Sequence, residues 1–386
     1  MSGAEPSAMR VTLCRDPDGL AALAPEWARL HRACGTATPF QSHAWLHSWW
    51  LSYGVPNRLR VVLVREGDRL VGAAPLMLTH QPYPVLVPLG GGISDFFDVL
   101  LDDDRAGPAG RALTRGLERL ARTALLDLRE VRPHAAVERV HREWDGPTRR
   151  RADSVCLELP GAPLPELLQR LPGRNARRFR AKLRRLEALG IEERTVPPHE
   201  VAGAVGTMLR LHGMQWRGRG VTPEHLRPRF AEHLVRATSQ MVRSGDAVLT
   251  EFRLGGRVVA GDVTLLSAEL AGGYLYGAHP ELREQKVDIT TMLLRHDARQ
   301  VTESGRRVLS MLRGTEPYKQ HWRPERVVNQ RLLLSGRTTA PALLVHLARL
   351  DARDRLADAV RDRLPELRRR AERLRAAVPW SAGGTG

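Results

Sequence analysis

Two stretches of the chain carry the same pattern of apolar and polar positions. Leu59–Leu78 is a run of β-forming residues broken at Gly67-Asp68, and Ala247–Leu266 is a second, broken at Gly255-Gly256. Gly-Asp and Gly-Gly supply the positive φ of a tight hairpin, so each stretch predicts two antiparallel strands. After the first hairpin come strands at Val85–Pro88 and Phe97–Leu101, a helix over Pro108–Arg122 and a strand at Leu126–Val131. After the second come a strand at Gly273–Ala278, a helix over Asp288–Glu303 and a strand at Arg307–Leu312. The order hairpin, strand, helix, strand therefore occurs twice, and a repeat of this length predicts a duplicated domain rather than a solenoid.

The Pro- and Gly-containing segment Leu159–Pro172 is the expected joint between the copies. The second copy carries additional helices. Arg174–Leu189 places Phe179, Leu183 and Leu186 on one stripe, and the tail Thr338–Val378 predicts two amphipathic helices, the last bearing Arg368–Arg370. The expectation is an α+β protein with an N-terminal domain over 1–165, a second domain over 166–337 that carries the chemistry, and an Arg-rich helical tail over 338–386.

Charge sharpens this division. Residues 166–386 hold 40 of the 60 basic residues against 24 of the 43 acidic ones, whereas residues 1–165 are close to neutral. Seven cations lie between Arg174 and Arg185 with no acid until Glu187, so this helix is either a solvated face or the seat of an anionic partner, and the uncompensated repulsion favours the partner. Three cysteines, Cys14, Cys34 and Cys156, with no CxxC pair, point to a reducing compartment and away from a structural zinc site, so no metal is expected. The opening MSGAEPSAMRVTLCRDPDG has no basic region leading into an apolar run, and no stretch of about 18 apolar residues occurs, so neither a signal peptide nor a transmembrane helix is expected. A cytoplasmic protein follows, with attachment to a membrane surface as the alternative.

Between residues 37 and 335 several pieces occur in a recognisable order: Pro39-Phe40-Gln41-Ser42 with Trp45, Ala74-Pro75-Leu76, Ser94-Asp95-Phe96-Phe97-Asp98, the basic helix Arg174–Leu189, Leu211-His212 with Trp216, and Leu312-Arg313-Gly314-Thr315-Glu316-Pro317-Tyr318-Lys319 followed by Trp322. In this order they resemble the CelD-type (cellulose-biosynthesis) acetyltransferases of the GNAT superfamily, whose tandem GNAT folds are similar to those of Fem-type transferases. The resemblance implies two GNAT-like domains and transfer of an acyl group from acetyl-CoA or another acyl-CoA to a small-molecule or glycan amine. An aminoacyl-tRNA donor of the Fem kind, or a non-catalytic scaffold for an envelope-synthesis complex, are the alternatives. The chain departs from the family at Gln285-Lys286-Val287-Asp288-Ile289, where a glycine-containing turn would cradle pyrophosphate, and at Ser310, where an aspartate is usual.

The resemblance also implies roles. Tyr318 follows the last core strand, where a phenol can protonate the departing thiolate; the alternative is a ring packed under the sheet. Lys319, one of three lysines in an Arg-rich chain, is expected on the cofactor with Lys286, Arg313 and Gly314, although Arg313 and Glu316 can simply pair with one another. His212 is the expected proton acceptor, with Asp262 as rival; a packing histidine and a solvent-facing aspartate are the respective alternatives. Asp95, Asp98, Trp216 and Glu316 are the expected acceptor contacts. The anionic partner of the Arg174–Arg185 helix would be tRNA, a carrier protein or a membrane surface.

Overall fold

The computed structural model describes residues 8–80, 82–217 and 222–363. The first half of the chain opens with β1 (Met9–Cys14), three helices, α1 (Pro17–Ala22), α2 (Ala24–Arg32) and α3 (His43–Tyr53), and the hairpin β2 (Leu59–Glu66) and β3 (Arg69–His80). It continues through β4 (Pro84–Pro88), the two-residue β5 (Leu100–Leu101), α4 (Ala106–Ala121), β6 (Leu125–Val131), α5 (Val137–Arg142) and the long β7 (Thr148–Pro160). The second half opens with α6 (Leu164–Gln169), α7 (Gly173–Ala188) and β8 (Glu192–Thr195), then α8 (Val201–Trp216), α9 (Pro228–Ser244) and the hairpin β9 (Ala247–Leu254) and β10 (Arg257–Leu266). After it come β11 (Leu270–Ala278), α10 (Glu281–Glu284), α11 (Ile289–Glu303), β12 (Val308–Arg313), α12 (Pro317–Gln320), β13 (Glu325–Leu334) and α13 (Ala340–Arg363).

Both hairpins form where expected, and in β2 Val61 and Leu63 enter one core while Val62 and Val64 enter another. Burial on both faces explains why the run is continuously apolar instead of alternating. The Phe97–Leu101 strand shrinks to Leu100–Leu101, with Phe97 making an isolated bridge to Val131. The expected joint at Leu159–Pro172 is no linker: Leu159 and Pro160 end β7 inside the sheet, and α6 occupies the rest. Of the two tail helices, α13 is observed, and Arg368–Arg370 lie outside the described residues.

All thirteen strands join one sheet in the order β1-β2-β3-β4-β6-β13-β7-β12-β11-β10-β9-β8, with β5 beside β3. At its centre the halves exchange strands, since β7 pairs with β12 and β13 pairs with β6. Each half contains one short parallel ladder. Val85 and Leu86 of β4 face Leu125 and Leu126 of β6, and Leu270 and Ala271 of β11 face Val308 and Leu309 of β12. Beyond two pairs each ladder ends, and Glu130 and Leu312 turn to φ of 58° and 57°, beside register shifts toward the exchanged strands. A non-glycine residue in this region costs about 1 kcal/mol, so the same bulge in both halves is imposed by the splayed sheet.

Helices α4, α5, α6, α7 and α11 cover one face of the sheet. The opposite face carries α1–α3 and α8–α9 in one shared core, and α13 packs there on Val85, Leu125 and Leu333. The contact of α3 with α9 holds the halves together. Ser48 Oγ donates to the His233 carbonyl at 2.9 Å, and the fully buried His233 ring meets Trp45 edge-on at 4.6 Å. Neither ring nitrogen has a hydrogen-bond partner among the described residues, and burial lowers its pKa to about 3. Protonation of the unfolded chain near pH 6.5 then draws the protein open. Stability is full above that pH and falls as the pH drops toward 3, by on the order of 4 kcal/mol when protonation is complete. His233→Leu should flatten this loss in urea titrations between pH 7 and pH 4, and an unchanged pH dependence would clear His233 of the effect.

Candidate active site in the second half

Because β11 and β12 part after Ala271 and Leu309, a wedge opens between them, and α11 and α12 close it from one side. The resulting cavity of about 70 Å³ is lined by Asp262 of β10, Gly273 and Tyr276 of β11, Thr290 and Asp297 of α11, Ser310 of β12, and Tyr318, Lys319 and Trp322. This volume is roughly that of two water molecules. The loop after β12 aims Tyr318 at it. Gly314 takes φ of +105°, which suits only glycine, and its N–H donates to the Val155 carbonyl at 3.0 Å. Pro317 starts α12, and the buried Lys319 ammonium donates to the Arg313 carbonyl at 2.9 Å while pairing with Glu316 at 2.8 Å. Lys319 thus fastens the loop that carries Tyr318, and Glu316 is its partner. Burial, with Tyr276, Glu316 and Asp297 nearby, holds the Tyr318 phenol well above its ordinary pKa, so it stays protonated.

Asp262 is 2% exposed, which overturns the solvent-facing alternative. Strand alternation does carry it away from the α8 core, but α11 covers that second face too. Thr264 Oγ1 donates to Asp262 at 2.8 Å and lies 3.4 Å from Asp297. Burial raises the pKa of both aspartates, and at Asp297 the Asp262 charge adds to it. Burial would lower that of His296, but a 2.9 Å hydrogen bond to Glu193 and the two aspartates outweigh it and raise the value. Asp262, His296 and Asp297 are also the group among the described residues whose spacing could hold a metal ion. Sequence reasoning missed His296 and Asp297, which sit in the middle of α11; their signal was the aspartate facing them from β10.

His212 and Trp216 lie on the other side of β11, on α8. The His212 ring pairs through Nδ1 with the Tyr276 carbonyl at 2.7 Å and through Nε2 with His225 Nδ1 at 3.3 Å, and burial lowers its pKa. It does not line the Tyr318 cavity. Gly277 permits this approach, because a Cβ there would run into the α8 backbone at Met208 and His212. Trp216 stands 6.3 Å from the His212 ring.

The departure at Gln285–Ile289 has a definite structure. Lys286 adopts φ of +56°, the region a glycine would favour. Asp288 caps α11, its Oδ1 accepting from Thr291 N–H at 2.9 Å, and pairs with Lys182 of α7. The helix N-terminus is therefore already served by a carboxylate. Beside it Arg178, Lys182, Arg185, Arg283 and Lys286 line an open groove of about 450 Å³ with Asp288. On α7 the exposed Arg174, Arg177, Arg178, Arg180 and Arg184 make no ion pair among the described residues.

The remaining expected residues have structural occupations. Arg313 turns away from the cavity, donating to Asp95 at 2.6 Å, Glu130 at 2.9 Å and the Gly92 carbonyl at 3.0 Å. It ties the second half to the first, and Asp95 is its counter-ion. Asp98 is no acceptor contact. Each of its oxygens takes two hydrogen bonds, from Thr36, Val99, Ala136 and Val137, and it clamps the start of α5; burial raises its pKa to about 7.

Residues 173–320 match the family described as an acetyltransferase (GNAT) domain. No curated protein matches the chain in sequence. Among solved structures, FemX aligns with a TM-score of 0.57 at 12% identity, covering 80% of this chain and 95% of that one. L-PGS from Bacillus licheniformis aligns with a TM-score of 0.52 at 14% identity, covering 88% and 97%. At such identities the likeness shows the fold alone. Residues 173–320, with the β11–β12 wedge and Tyr318 inside them, are thus similar in sequence to an acetyltransferase (GNAT) domain, and the chain as a whole has the mixed α+β fold seen in FemX.

Proposed function

We propose that the chain transfers an acyl group from an acyl-CoA thioester to an amine in the β11–β12 wedge. The observation that carries this reading is Tyr318, a phenol kept protonated by burial and facing the cavity where two parallel strands part. The donor would enter on the α11 side, with its phosphates on the Arg178, Lys182, Arg185, Arg283 and Lys286 groove. Side-chain cations there replace the backbone nest that Asp288 occupies.

The acceptor would approach from the α8 side, which makes His212 the better placed base. Its depressed pKa keeps the imidazole neutral at pH 7 and able to take the ammonium proton directly or through His225. The amine nitrogen attacks the thioester carbon, the C–N bond forms, the C–S bond breaks, the Tyr318 proton goes to the departing sulfur, and the second proton that the nitrogen loses returns to the Tyr318 oxygen. A small-molecule or glycan amine remains the proposed acceptor class, and the division at residues 165 and 337 remains the proposed domain plan. Among the described residues no helix is long and apolar enough to cross a membrane.

Thermal denaturation with acyl-CoA tests the donor. A ligand that binds only the folded state at 100 times its Kd stabilises by about 2.7 kcal/mol. Acyl-CoA should raise the melting temperature, and the double charge reversal Arg283→Glu with Lys286→Glu should weaken its binding tenfold or more. Binding of an acyl thioester that lacks phosphates should stay unchanged. The capped α11 terminus and the five unpaired arginines of α7 favour a second reading, an aminoacyl-tRNA donor. In that case labelled tRNA binds with a steep salt dependence and acyl-CoA leaves the melting curve flat. A response to neither would leave only the scaffold.

A further inference from the structure

Beneath α11 lies a cluster that acyl transfer does not use. One oxygen each of Asp262 and Asp297 and one ring nitrogen of His296 lie within 4.8 Å of one another. His296 is 1% exposed. Its Nδ1 is engaged by Glu193 at 2.9 Å, and Nε2 is buried without a hydrogen-bond partner among the described residues. The counter-charges nearby do not reach the aspartates: Arg295 and Arg299 both pair with Glu193. On the β11 side the site is held open by a missing side chain. A Cβ at Gly273 would fall 3.1 Å and 3.4 Å from the Asp297 oxygens and 3.5 Å from Asp262 Oδ1. Asp297 borders the cavity, which gives a path of entry.

We propose that Asp262, Asp297 and His296 bind a divalent first-row transition-metal ion, of the manganese or zinc kind, that cross-links β10 to α11 under the wedge. Ligand atoms about 2.1 Å from one ion lie roughly 3–4 Å from one another, so a slight closure of this group, whose atoms lie within 4.8 Å, brings all three onto one ion. Two carboxylates with one imidazole suit such an ion better than calcium, which takes oxygen ligands in larger number. The Glu193 carboxylate accepts from Nδ1–H and so leaves the lone pair of Nε2 for the metal, the arrangement by which a second carboxylate commonly orients a metal-bound histidine. The ion would also answer two facts that the protein alone leaves open, the unpartnered Nε2 and a buried carboxylate, Asp262, beside a half-buried one, Asp297.

The test needs no acyl-transfer assay. Protein stripped with chelator and dialysed is titrated with Mn2+, Zn2+ and Mg2+, followed by melting temperature, by the electron paramagnetic resonance of bound Mn2+ and by elemental analysis after gel filtration. One equivalent of Mn2+ or Zn2+ retained, with a raised melting temperature, is the expected result. Asp297→Asn should reduce affinity at least tenfold. Gly273→Ala, which crowds the oxygens without removing a charge, should do the same if Asp297→Asn fails to fold. No retained equivalent and no shift with any of the three ions overturns the proposal and leaves a protonated His296 between the aspartates. Equal retention by wild type and the folded variant overturns it too, by placing the metal elsewhere.

Discussion

Tyr318→Phe should lower the rate of acyl transfer about 10²-fold or more while leaving the melting temperature nearly unchanged. Among the described residues the phenol proton has no hydrogen-bond partner that the fold would miss, because the 313–319 loop is held by Gly314, Pro317 and the Lys319 bonds to Arg313 and Glu316. Phenylalanine keeps the ring and removes only the acid, and positioned proton transfer contributes typically 10²–10⁴-fold. The loss should appear in single-turnover chemistry and should shrink with a thioester whose thiol has a low pKa, since such a leaving group needs no proton. A single-turnover rate within threefold of wild type would remove Tyr318 from the mechanism.

The second large effect concerns stability. Arg313→Leu should cost about 3–5 kcal/mol, the usual penalty for removing one partner from a buried charge cluster. Asp95 and Glu130 would be left facing each other, with Ser154 Oγ and Asn329 Nδ2 still donating to Glu130 and Arg129 3.9 Å from it as the remaining cation. Adding Asp95→Asn and Glu130→Gln to the same variant should recover much of the loss, because the stranded charges are then gone. Urea denaturation measures both. A cost below about 1 kcal/mol for Arg313→Leu would mean that the tie between the halves lies in the α3–α9 contact alone.

The duplicated order of elements was legible in the chain because both hairpins turn at glycine pairs and their strands are apolar on both faces. The exchange of β7 and β13 was not. Half of β7 is Thr148-Arg149-Arg150-Arg151-Ala152-Asp153, whose mostly exposed side chains give no apolar run, and its half-buried Ser154 is received by Glu130 and Asn329 from other strands. Such a strand is specified by its partners, not by its own period. The site divided in the same way. Tyr318 and Lys319 stand in a loop whose Gly and Pro announce its shape. Asp98 looked like a ligand group, but its backbone partners at Ala136 and Val137 are nearly 40 residues on, beyond the reach of local pattern. His296 and Asp297 have no local pattern on α11 that marks them, and only the fold brings Asp262 to face them.

The central claim, that the thioester is held in the β11–β12 wedge, is tested most directly by a crystal structure with a non-hydrolysable acyl-CoA analogue. The account predicts the sulfur position between Ala271 and Leu312, within hydrogen-bonding distance of the Tyr318 hydroxyl, and the phosphates on Lys286, Arg283 and the adjoining α7 cations. Ligand density confined to the first-half cavity of about 180 Å³ lined by Val87, Phe97, Asp127 and Glu130, with the second wedge filled by protein side chains, would contradict it.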